Sequence, residues 1–331
     1  MKRIGVDKLA WGTSIFILFL LPVLVSETKI HLATEVIIYA LFAIGFNLMF
    51  GYVGQLPFGF AALFGVGAYT TALIVHQFPG AHLLLVLMAT ALSGFVAAAL
   101  IGFFCVRLSG AYFSLTTLAF QMFLYAVALK WRSLTNGDDG MGIIRPELDF
   151  GLLGSISLRS TDHMYYFALI IVAIGILGCY LFLKTPLGNS FLCVRENELR
   201  ASFLGYNVFL IKLIAFSAAG VLAGLAGGLF VLFQEFVATS TMDLNMGLVP
   251  VIMTIIGGPT HFLGPVLGAA FYVISQDWVS SLTNYWMFIM GGIFIFTVLY
   301  LKEGLIGLLK LEKIRGSRVA EGKNGSDIKI R

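Results

Sequence analysis

The sequence predicts an all-α polytopic membrane protein with about ten transmembrane helices. Three observations lead there. Of its 331 residues 59% are hydrophobic and 11% charged, whereas soluble domains carry about 25% charged residues. Apolar runs of about 17 residues or more recur along the whole chain, and each can cross a hydrocarbon core of about 30 Å as a helix. Lysine and arginine collect in only some of the segments between these runs.

In chain order, the first run is 9–26, preceded by Lys2, Arg3 and Lys8. Its flank resembles a signal peptide, but in a chain made almost entirely of spans it reads as the first transmembrane helix. The next runs are 31–51 and 57–78. Between and within them Gly51, Gly54, Gly59, Gly65 and Gly67 accompany Gln55 and Pro57 in "GYVGQLPFGFAALFGVGAYTTALIV". Irregular backbone at membrane depth is tolerated only where protein or a water-filled path satisfies it, so this stretch points to a translocation route. Close helix packing is the competing explanation for its glycines. Runs 81–106 and 112–130 follow, then a polar loop at 131–162 with Asp138, Asp139 and Pro146, then run 163–184.

The stretch "TPLGNSFLCVRENELRASFLGYNV", 185–208, crowds Arg195, Glu196, Glu198 and Arg200 between two apolar runs. Residues 190–204 are predicted to form one amphipathic helix. Phe191, Leu192, Val194, Leu199, Phe203 and Leu204 supply its apolar contacts, and Gly205 stops it. Such a helix fits a groove on a cytoplasmic partner, and the same pattern also fits a lipid surface.

Run 209–233 carries Gly220, Gly224 and Gly228 at four-residue spacing, which lets helices approach closely. Runs 244–258 and 263–281 are separated by Gly257, Gly258 and Pro259, with Gly264 and Pro265 opening the second. This is either a tight hairpin or a break lining a gate. Run 285–301 ends a permease domain of 1–303, and 304–331 is a basic tail.

With ten spans and both termini in the cytoplasm, 16 of the 21 Lys and Arg residues fall on the cytoplasmic side, as the positive-inside rule requires. The net charge of +4 is then a topology signal and gives no support to nucleic-acid binding. Cys105, Cys179 and Cys193 lie in or near spans without metal spacing, and packing roles are expected of them. No G-x-x-x-x-G-K-[ST] phosphate loop occurs, and no catalytic pair or metal-ligand cluster stands out. The spans hold almost no ionisable side chains, with His76, Glu235, Asp243 and Asp277 placed near the outer ends.

Six ordered blocks carry a resemblance: 51–69, 108–121, 131–143, 185–208, 222–230 and 256–271. They resemble the M-type permease subunits of branched-chain (hydrophobic) amino acid ABC importers, nearly end to end. The chain departs from that pattern at Pro57-Phe58-Gly59-Phe60, which is bulkier and more apolar than usual, and at Pro259 after the Gly-Gly pair. The resemblance implies a type II importer fold in a bacterial inner membrane. It also implies a second homologous permease, two cytoplasmic ATPase subunits holding ATP and Mg, and an extracytoplasmic substrate-binding protein; no cofactor is expected in this chain.

It further implies that 190–205, with Arg195, Glu196, Glu198, Arg200 and Gly205, is the coupling helix that docks into the ATPase. Gln55, Phe58, Tyr112, Thr116, Thr117 and Gln121 are the expected substrate path, because they sit in the unusual segments. The function expected is import of branched-chain or other hydrophobic amino acids by alternating access. A permease for urea or short amides, or an ATP-independent channel, would show a similarly uncharged interior.

Overall fold

The computed structural model describes residues 22, 26–78, 80–146, 148–149, 155–300 and 304–307. The predicted first span, 9–26, lies almost wholly outside the described residues, as does the tail from 308 onward.

Apolar helix-forming runs with few interior charges give the long helices. In order these are α1 (Glu27–Asn47), extended by a π-turn over Leu48–Val53, α2 (Ala61–Gln77), α3 (Leu83–Cys105) and α4 (Ala111–Lys130). The 131–160 segment holds the short α5 (Arg132–Thr135) and the strands β1 (Met141–Gly142), β2 (Leu148–Asp149) and β3 (Ser155–Ile156). Then come α6 (Thr161–Leu183), α7 (Pro186–Glu196), α8 (Glu198–Phe203) and α9 (Val208–Gln234). Strand β4 (Phe236–Val237), α10 (Leu244–Gly257), α11 (Gly264–Leu282) and α12 (Trp286–Tyr300) complete the chain. β1 pairs with β4 and β2 with β3, both antiparallel, so the strands only tie loops together.

Among the described residues, five helical segments are long and apolar enough to cross a membrane: Glu27–Val53, α3, α4, α6 and α9. Many large apolar side chains on α3, α4, α6 and α12 face outward, Met88, Phe123, Ile174 and Phe288 among them. Outward-facing apolar helices belong in lipid, and the chain is a multi-pass membrane protein.

α9 is the central helix, with α1, α2 and α3 packed around it. Its small residues set the spacing. Gly220, Gly224 and Gly228 lie against Gly94, Ala98 and Thr90 of α3, and Gly224 and Gly227 meet α2 at Gly67 and Phe64. At Gly67 a β-carbon would collide with the Gly224 backbone. Close backbone approach of this kind is how helices associate where lipid supplies no hydrophobic drive. Thr71 and Thr90 hydroxyls share a 2.7 Å hydrogen bond between α2 and α3. Phe60, Phe42, Phe64 and Phe230 touch ring to ring in that order, linking α1, the start of α2 and α9.

Among the described residues three predicted spans turn out shorter than a crossing: the 285–301 run gives the 15-residue α12, and two others are displaced inward. The 57–78 run becomes α2, whose first residue is Ala61, and the 244–258 run becomes the 14-residue α10. Both begin inside the bundle, next to α4.

Candidate functional site

The first interruption runs from the π-turn to Phe60. Gly54, at φ 79°, ends the π-turn in a left-handed conformation that glycine adopts without strain. The chain then lies along the first two turns of α4. The Ser114 hydroxyl donates to the Leu56 carbonyl at 2.6 Å, and the Gly59 N–H donates to Thr117 Oγ1 at 3.3 Å. Gly59 packs so tightly on the Thr117 carbonyl that no side chain fits. Thr117 is the seventh residue of α4, so α2 begins about 9 Å along that helix rather than at its end.

The second interruption runs from Glu235 to Asp243. Glu235 adopts a left-handed φ of 57° and ends α9, Phe236–Val237 pair with β1, and a 3-10 turn at Thr239–Met242 leads inward. Met242 fills the space beside Gly65 of α2. The Asp243 carbonyl accepts from Gln121 Nε2 at 2.9 Å. Gln121 is the eleventh of the 20 residues of α4, about 15 Å along it. Asp243 therefore lies at mid-depth in the bundle, which corrects the expectation that it sits near an outer end.

The two interruptions meet there. A β-carbon on Gly247 would stand 2.9 Å from the Phe58 carbonyl oxygen and 3.0 Å from Gln121 Nε2. Phe58, Thr117 and Gln121, all expected on the substrate path, are thus brought together with Asp243 and Gly247, which sequence reasoning missed. The missed signal was "MDLN" at 242–245, an Asp N-cap opening an apolar helix. Gln121 is fully buried and, among the described residues, its Oε1 has no hydrogen-bond partner. Asp243 is half-buried and Asn245 exposed. Asp243 Oδ1 accepts from the Leu244 N–H at 2.7 Å, and Oδ2 from Asn245 Nδ2 at 2.9 Å.

The remaining path candidates fall elsewhere. Thr116 is half-buried on α4, and Tyr112, in the first turn of α4, is 75% exposed. Gln55 is buried but reaches the charged segment, where its Nε2 donates to Glu198 Oε1 at 3.0 Å. The same carboxylate oxygen lies 2.6 Å from Lys212 Nζ, a buried cation in the second turn of α9. Arg195 donates through Nη1 to the carbonyl of Gly51 in the π-turn. Glu196 and Arg200 point outward.

The segment is not the single helix expected over 190–204. α7 stops at Asn197, whose extended backbone (φ −163°) redirects the chain and whose side chain caps α8 by accepting from the Arg200 N–H at 2.9 Å. Asparagine is among the strongest N-caps, and Pro186 opens α7 at the position proline favours. Gly205, at φ 88°, follows the last turn of α8. Phe191 and Val194 are buried in the bundle, while Leu199, Phe203 and Leu204 are 73%, 88% and 69% exposed. The Gly257–Gly264 turn is tight and lies at this same end, its Pro259 carbonyl beside Gly51.

Ionisable groups are also less scarce in the helices than expected. Besides Lys212 and Asp243, Glu35 of α1 lines a cleft of about 430 Å³ with His31, Thr161 and Asp277. Among the described residues no group of three or more His, Cys, Asp or Glu side chains is arranged to hold a metal ion.

Helical crossings combined with two interrupted helices that meet at mid-depth define a solute permease. The chain belongs to the family of permease components of branched-chain amino acid transport systems, whose model matches residues 29–298. It is 27% identical to the high-affinity branched-chain amino acid transport system permease protein LivM of Salmonella typhimurium, over 91% of this chain and 75% of that one. The LivM protein of Escherichia coli K12 matches at the same identity and coverage. The guanosine ABC transporter permease protein NupQ of Bacillus subtilis is 24% identical over 53% of this chain and 56% of its own. No solved structure matches the chain.

Proposed function

We propose that this chain is one transmembrane permease of an ATP-driven importer that carries branched-chain or other hydrophobic amino acids inward by alternating access. The observation that carries the reading is the Glu198 carboxylate, which joins three moving parts. It sits at the start of α8, holds Gln55 of the interrupted α1–α2 link, and pairs with Lys212 of the central helix. Arg195 makes a parallel connection to the π-turn.

Exposed Leu199, Phe203 and Leu204 give α8 an apolar face, flanked by Arg200 and Glu196, that suits a groove on an ATPase. ATP-driven displacement of α8 would then pull directly on the link that opens toward Phe58 and Gln121. In this reading the 184–207 end is cytoplasmic, in agreement with the distribution of Lys and Arg. The remaining subunits are a second homologous permease, two ATPases and an extracytoplasmic binding protein. Energy enters as differential affinity of nucleotide and ligand for two arrangements.

The test is purification of the tagged chain from native membranes, followed by leucine uptake in proteoliposomes. A P-loop ATPase and a second permease are expected to co-purify, and uptake is expected to require ATP. Glu198→Lys, which sets a second cation against Lys212, is expected to leave ATP hydrolysis by the assembled complex but remove its stimulation by substrate. A chain that purifies alone and conducts leucine without ATP overturns the reading, as does unchanged coupling in Glu198→Lys.

A further inference from the structure

The geometry points to Asp243 and Gln121 as a transit site for the head group of a zwitterionic α-amino acid, the α-ammonium lying against the Asp243 carboxylate and Gln121 Oε1. This inference rests on the permease reading above and names the chemistry of its path.

Depth is the first argument. Two independent contacts place Asp243 near the middle of the bundle: its carbonyl is bound to Gln121, halfway along α4, and the preceding Met242 packs on Gly65 of α2. Gly67, half a turn further along α2, meets Gly224, which in turn lies against Gly94 at the midpoint of α3. A half-exposed carboxylate and an exposed Asn245 at that depth do not face hydrocarbon. Ionisable groups inside a membrane line pathways or pair with partners.

The second argument is unfilled bonding capacity. A carboxylate has about four acceptor sites, and the hydrogen bonds of Asp243 occupy one on each oxygen. Gln121 Oε1, buried beside the first turn of α10, accepts nothing. Its amide is fixed by the bond from Nε2 to the Asp243 carbonyl, so the free oxygen is held in place rather than free to flip to another partner. An ammonium supplies three donors and a positive charge. An N-cap role alone does not account for the pair, because an uncharged Asn or Ser caps a helix equally well.

The third argument concerns the other half of a zwitterion. In the first turn of α10 the Leu244 N–H is taken by Asp243 Oδ1 and the Gly247 N–H by the Asp243 carbonyl. The N–H groups of Asn245 and Met246 have no intrahelical partner, and a helix N-terminus favours an anion. A substrate carboxylate fits there. Leu244 and Leu248, 45% and 40% exposed, offer an apolar surface for the side chain.

The experiment has two arms. In the first, the detergent-purified chain is treated with an excess of a hydrophobic carbodiimide, and the fraction of Asp243 modified, whether as N-acylurea or as an amide of the added amine, is read by peptide mass spectrometry. Labelling is expected, with protection by leucine and by isobutylammonium but not by isocaproate, which has the carboxylate alone. An unlabelled Asp243, labelling indifferent to ammonium, or protection by isocaproate without isobutylammonium overturns the site. In the second, Asp243→Asn, which keeps the cap, is placed in the assembled complex. Leucine uptake per ATP hydrolysed is expected to fall about tenfold, the loss of one charged hydrogen bond. Uptake within about twofold of the parent overturns the site. The carbodiimide arm uses the chain alone, so it decides the site even if no ATPase co-purifies and the importer reading fails.

Discussion

Arg145 closes the end of the central helix opposite the charged segment. Its Nε donates to the Leu232 carbonyl at 2.7 Å, Nη2 to the Phe233 carbonyl and Nη1 to the Leu158 carbonyl at 3.3 Å, while Glu235 lies 3.0 Å away. Two of those carbonyls belong to the last turn of α9, which has no intrahelical donors left and carries the negative end of the helix dipole. Burial pulls the Arg145 pKa below its ordinary value, and the Glu235 carboxylate acts in the opposite direction; a guanidinium still keeps its charge. Arg145→Ala is expected to destabilise the chain by about 2–4 kcal/mol, because several buried carbonyls lose a charged donor together. Glu235→Ala, at a side chain 49% exposed, is expected to cost at most about 1 kcal/mol. Thermal melting in detergent measures both, and equal losses would refute the capping account. None of this was visible in the sequence, where Arg145 counted only as a cation of the 131–162 loop. Two of its three carbonyl partners lie more than 80 residues away, and carbonyls carry no sequence signal. Asp243 was misjudged for a related reason. Averaged hydropathy places a charge at the edge of an apolar run whenever the run can be shortened to exclude it.

At the level of elements, the glycine pattern separates close contacts from incidental ones. A β-carbon at Gly94 would overlap the Gly220 carbonyl, which a backbone-to-backbone contact cannot relieve by a rotamer change. At Gly178 and Gly291 a β-carbon meets nothing among the described residues. Gly94→Ala is therefore expected to cost about 1–3 kcal/mol by overpacking. Gly178→Ala, inside α6, is expected to gain up to about 1 kcal/mol from helix propensity. Melting temperatures moving in opposite directions would bear this out, and a neutral Gly94→Ala would mean that α3 and α9 are free to separate. The four-residue spacing of Gly220, Gly224 and Gly228 made a tight contact legible, and the partner helix had a matching signal that was passed over, Thr90, Gly94, Ala98 and Gly102 at the same spacing in α3. The interruptions were half legible. Gly54, Pro57 and Gly59 announced the first. The second lacks glycine and proline between Glu235 and Asn245, and its inward course depends on the tertiary contacts of Met242 and Asp243. The division of α7 from α8 had a signal, Asn197 as an N-cap, which an amphipathic reading of 190–204 passed over.

For the whole molecule, the proposed mechanism makes the charged segment and the mid-depth junction two ends of one path, and they differ in what they require from other chains. The junction is built from α2, α4 and α10 of this chain. Among the described residues the outer face of α8 has no partner: Phe203 is 88% exposed and Leu199 73%. An aromatic side chain left open beside charged neighbours is the usual anchor of a protein interface, where a few central residues carry most of the affinity. Lipid is the competing occupant, and the two make opposite predictions. If an ATPase groove receives Phe203, then Phe203→Ala leaves the melting temperature of the isolated chain unchanged and weakens ATPase association by about 2 kcal/mol or more, roughly thirtyfold. If lipid receives it, ATPase association survives and the variant differs only in how the chain partitions into vesicles. The measurement is titration of the purified ATPase onto the chain in nanodiscs. Paired with Glu198→Lys, which is expected to keep association and lose coupling, it separates the surface proposed to bind an ATPase from the carboxylate proposed to pass its movement on to Gln55 and Lys212.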